Sequence, residues 1–91
     1  MIDAHAVIRG KRWRVRTAAL RTNRGECDPP NKPHKEIRIA AEMHGEERLE
    51  VLIHEMLHAA YWDLDESAIE GAAADVARVL WRLGYRSPAD C

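Results

Sequence analysis

The sequence predicts an α+β fold: a small antiparallel sheet packed on a buried helix, with a second helix covering that helix's other side. Three observations carry this prediction. Apolar residues recur with period two before position 45 and with helical period after it. Most glycines and prolines fall in the first half, whereas Glu46 to Trp62 contains neither. Charge divides the same way: residues 1–45 hold ten Lys/Arg against five Asp/Glu and residues 46–91 hold four against ten, so the halves carry +5 and −6. At 91 residues the expectation is one domain over residues 1–91, with 1–45 mainly strands and loops and 46–84 a helical hairpin.

The elements follow in order. Ala6-Val7-Ile8 is a short apolar run closed by Gly10. From Lys11 to Thr17 the chain alternates strictly, Trp13 and Val15 pointing one way and Arg12, Arg14 and Arg16 the other, as a half-buried strand requires. Thr22–Gly25 reads as a turn and Asp28–Pro33 as an irregular loop. Glu36–Ala40 alternates again, and His44-Gly45 ends that pattern. The first helix is expected from about Glu46 to Trp62, its acidic start suited to the helix dipole and its surface apolar nearly all round. Asp63-Leu64-Asp65 supplies a turn with capping residues. The second helix is expected from about Glu66 to Leu83, with Ile69, Ala72, Ala73, Val76, Leu80 and Leu83 facing inward and Gly84 ending it.

Composition narrows the function classes. No apolar run approaches the roughly 20 residues that span a bilayer, and the first 20 residues lack the apolar centre of a signal peptide. Two cysteines, Cys27 and Cys91, are too few for a disulfide framework or a four-cysteine zinc site, which makes a reducing cytoplasmic setting the expectation.

The chemistry lies in His54-Glu55-Met56-Leu57-His58, an HExxH sequence on the first helix. Residues i and i+4 lie about 40° apart around a helix, one turn apart, so both imidazoles can bind one ion. Imidazole nitrogen suits Zn²⁺. Glu55 projects to the side of the ion, where a carboxylate can take a proton from an activated water; that pairing hydrolyses peptide bonds.

A catalytic zinc needs a third protein ligand. His5, His34 and His44 all precede the motif and no histidine follows it, so the acidic cluster Asp63, Asp65, Glu66 and Glu70 is the better source. Folding the hairpin about Leu64 brings a residue near position 70 to face the middle of the motif, which points to Glu70. The helical wheel instead favours Glu66, about 60° from the Ile69 direction against about 100° for Glu70. Either glutamate can be the third ligand and the other a partner that orients a ligand imidazole; Asp63 and Asp65 are lesser options.

With strands preceding a helix that bears LIHEMLHAAYW, and a helix starting DLDESAIEGAAADVA after it, the chain resembles minimal zincin metallopeptidases. Small SprT-like and phage-encoded peptidase-like proteins are the nearest comparison, and ImmA/IrrE-type metallopeptidases are similar. The resemblance covers roughly residues 36–83. It implies a gluzincin-like zinc peptidase acting on a protein or peptide substrate, with His54 and His58 as ligands, a downstream glutamate at Glu66 or Glu70 as the third, Glu55 as base, and the host cytoplasm as its place if phage-encoded. SprT-type proteins usually carry a third histidine after the motif, which this chain lacks, and ImmA/IrrE-type chains are longer.

A second function class comes from the basic stretch. Arg12, Arg14 and Arg16 share one strand face and could track nucleic-acid phosphates, in a noncatalytic zinc-binding adaptor or regulator. The plainer reading is a solvated face whose charges discourage edge pairing. Trp62 and Trp81 read as packing anchors, and Tyr61, near His58, as a packing residue that could also donate to an oxyanion.

Overall fold

The computed structural model describes residues 2–88; Cys91, expected in a frayed tail, lies outside them. The order is β1 (Asp3–Ile8), β2 (Lys11–Ala18), β3 (Gly25–Cys27), β4 (Glu36–Ala40), α1 (Gly45–Ala60) and α2 (Glu66–Arg82). The α+β expectation is met, but the sheet is mixed rather than antiparallel. Strands lie in the order β1-β2-β4-β3, with β4 parallel to β2 and antiparallel to β3. Period two dictates which face a side chain takes and is the same for either strand direction, so alternation carries no information about this pairing.

β1 and β2 form a hairpin whose two turn residues, Arg9 and Gly10, both have positive φ (49° and 78°). That geometry matches the twist of the flanking strands. β4 is central, and its Ile37, Ile39 and Ala40 are fully buried. With Trp13 and Val15 they line the inner face, which Val51 and Ala59 of α1 complete.

The buried row of α1 is Arg48, Val51, Glu55 and Ala59. This helix is not enclosed all round, because Met56 is exposed and the apolar residues on its other faces are only half-buried. α2 buries Ile69, Ala73 and Ala77. Ala72, Val76 and Leu83, expected inward, face solvent. Trp62 is 45% exposed, with its ring 6.3 Å from that of His58, so it is a surface residue and not a core anchor. Trp81 is half-buried, and the Arg86 guanidinium stacks on it at 3.3 Å.

The outer face of the sheet is a charge network. Arg38 donates to Asp28 at 2.8 Å, to Glu26 at 3.1 Å and to Glu36 at 3.2 Å. Buried Asp28 also accepts from the Glu36 backbone N–H at 2.9 Å and from Lys32 at 3.3 Å. The Arg38 guanidinium, helped by these two donors, holds the Asp28 carboxyl down at about 2. A folded-state value below the unfolded one stabilises the fold at neutral pH, and that contribution is lost as pH falls from about 4 through about 2. The stability difference between the wild type and Asp28→Asn should therefore shrink by about 2 kcal/mol between pH 6 and pH 2. Denaturant melts across that range check it; parallel curves would show that Asp28 is not the linked group.

Candidate metal centre

Local structure sets three side chains against one another. α1 ends at Ala60 and the chain folds back through Tyr61–Asp65, with the Leu64 N–H donating to the Tyr61 carbonyl at 3.0 Å. Asp65 caps α2, its carboxylate accepting from the backbone N–H groups of Ser67 at 3.1 Å and Ala68 at 3.4 Å. The next residue, Glu66, is thereby the first of α2 and stands over the last turns of α1.

The two Glu66 carboxylate oxygens lie 2.9 Å from His54 Nε2 and 2.9 Å from His58 Nε2, and those nitrogens are 3.2 Å apart. One ligand atom from each of His54, His58 and Glu66 falls within 4.8 Å of the others. Donors about 2.05 Å from a tetrahedral zinc are about 3.3 Å from each other. The separation of the two nitrogens, and of each nitrogen from its nearest carboxylate oxygen, lies within about 0.4 Å of that value, with the two oxygens of Glu66 serving different imidazoles. Both imidazoles are about one-fifth exposed and the glutamate 62%, so one side of the cluster is open to solvent. Glu70 and Asp63 do not join the group, and Asp65 is occupied as the cap.

Glu55 takes a different direction. It lies 100° around the helix from His54, in the buried row that meets the sheet. Burial, with Glu66 and Glu26 adding repulsion, raises its carboxyl above the usual range even though His54 opposes this. Opposite it runs β3, where a Cβ on Gly25 would stand 3.0 Å from Glu55 Oε2 and 2.7 Å from Val51. Gly25 therefore permits an approach that any side chain would block. Alternation does not mark β3 as a strand, since three residues are too few to show a period, and local sequence places Gly25 in a turn.

Asn23, Arg24 and Gly25 on one side and Glu50, Val51, His54 and Glu55 on the other line a cleft of about 140 Å³. Cys27, at the far end of β3, is half-buried; burial first, then the Glu55 and Asp28 carboxylates, push its thiol up to about 12. It is not a nucleophile at neutral pH.

The remaining sequence candidates lie elsewhere. His44 precedes α1 with Nδ1 3.1 Å from the Glu42 carbonyl, and His34 sits at φ 54° in the loop before β4. Arg14 pairs with Asp3 at 2.9 Å and Arg16 with Glu36 at 3.1 Å, so two of the three aligned arginines are partnered; Arg12 is exposed. Tyr61 is half-exposed under the Arg9 guanidinium, 5.2 Å from its ring. Among the described residues no helix is long and apolar enough to cross a membrane. No family model, curated protein or solved structure matches the chain.

Proposed function

We propose that the chain is a zinc-dependent metallopeptidase in which His54, His58 and Glu66 hold the ion and Glu55 is the general base. The observation that carries this reading is the convergence of two imidazoles and a carboxylate from separate helices, beside a cleft with a buried carboxylate in its wall. Zinc bound there would polarise a peptide carbonyl and acidify a water. Glu55, whose proton affinity burial raises, would be the group that accepts a proton from the attacking water and returns it to the leaving amine. Glu66 contributes the negative charge of the ligand set. β3 is the outermost strand beside the cleft, and an extended peptide can pair with such an edge. The ion pairs of Arg14 and Arg16 favour the solvated-face reading of the basic strand over nucleic-acid contact.

Metal analysis of protein purified without added metal tests the proposal, together with cleavage of unfolded casein. About one zinc per chain is expected, lost in the His54→Ala/His58→Ala variant, with cleavage abolished by a chelator and restored by zinc. Full zinc retention in the double variant would overturn the metal site. Zinc bound without any cleavage would leave a noncatalytic zinc module.

A further inference from the structure

α2 presents an apolar row that the described residues leave exposed. Ala72, Val76, Val79 and Leu83 are all exposed, the last three at 44%, 53% and 68%. Their spacings of four, three and four residues place them within about 60° of one another on the helix. The row lies about 90° around α2 from Ile69, Ala73 and Ala77, which face inward. Three large exposed aliphatics in register are a seam rather than scattered surface residues.

The charges beside the seam say what fits it. Asp75 and Arg82 both flank it on the side away from α1, seven residues and two turns apart. We infer that this face of α2 pairs with α2 of a second copy in antiparallel orientation about a two-fold axis. Under that symmetry Val76 meets Val79 of the second copy, and the small Ala72 meets the large Leu83, so the layers alternate in size and fill evenly. An end-over-end rotation brings like flanks together, so Asp75 faces Arg82 of the second copy, and the pair forms twice. A parallel pairing would set Asp75 beside Leu80 and leave both charges unmatched. Asp75 already accepts from Arg78 of its own chain at 2.6 Å through one oxygen, and the other oxygen serves the second arginine. Glu66 of the metal cluster lies about 110° around α2 from the seam.

Sedimentation equilibrium on the full chain tests this, with masses read against the 10.4 kDa monomer. A reversible dimer is expected, and Val79→Glu should return it to monomer with an unchanged far-UV spectrum, since Val79 is exposed. Asp75→Arg and Arg82→Asp should each weaken the dimer at least about fivefold, because like charges then face each other twice. The double reversal Asp75→Arg/Arg82→Asp should restore it to within about threefold, a recovery that no nonspecific association would give. A monomer at every concentration up to about 0.5 mM would overturn the inference, as would a dimer indifferent to Val79→Glu or one that the double reversal does not rescue.

Discussion

Glu55→Gln is expected to reduce peptide cleavage about 10²–10⁴-fold while zinc content stays at the wild-type level. The substitution keeps the shape of the side chain and removes only its capacity to take a proton. Its effect on the fold follows from the same burial. A carboxyl whose folded-state value is raised is one whose charge the fold disfavours at neutral pH. A neutral amide removes that penalty, so the melting temperature should hold or rise. Loss of activity with gain or retention of stability is the signature of a group placed for chemistry. Casein cleavage, metal analysis and thermal melts on the same preparations check all three readouts. A variant that cleaves as fast as the wild type would remove Glu55 from the mechanism.

The parts of the molecule legible in the sequence are those governed by local periodicity. β2, β4 and the two helices fall within one or two residues of the bounds their patterns give, and the Asp65 cap and the Gly10 turn are where their chemistry demands. What depends on long-range placement was not legible. The parallel pairing of β2 with β4 arises because β3 passes to the far side, leaving β4 to enter between them. Nothing in Glu36–Ala40 encodes that order. The inward row that apolar spacing gives for α2 is too wide for a related reason. Apolar spacing shows which residues can be buried, and Ala72, Val76 and Leu83 qualify; only the packing of α2 on α1 decides that Ala77 is buried instead. At the site, His54, Glu55 and His58 stood out because their relation is local to one helix. Gly25 did not, since its importance lies in facing Glu55 across 30 residues of chain.

The choice between Glu66 and Glu70 was open for that same reason, and it gives the second large expected effect. Counting residues about Leu64 points to position 70, whereas the fold-back at Tyr61–Asp65 sets the first residue of α2 against both imidazoles. Glu66→Gln removes the negative charge nearest the two histidine nitrogens. Zinc affinity, read by competition with a chelating dye, should fall by more than about 100-fold, a loss of at least about 2.7 kcal/mol and beyond the range of partners that merely orient a ligand. Glu70→Gln, one turn further along α2 and outside the cluster, should leave affinity within about threefold of wild type. Glu66 is the acidic residue of α2's first turn and Glu70 lies one turn further in, so only Glu66→Gln removes a favourable interaction with the helix dipole, worth roughly 0.3–1 kcal/mol of stability. Melting without metal should therefore be slightly lower for Glu66→Gln than for Glu70→Gln, because Glu66 also contacts both imidazoles, and the large difference between them should appear only when zinc is added. If Glu70→Gln lost the metal and Glu66→Gln kept it, the carboxylate pairing seen between the helices would be a contact of the metal-free chain alone, and α2 would have to move to deliver its ligand.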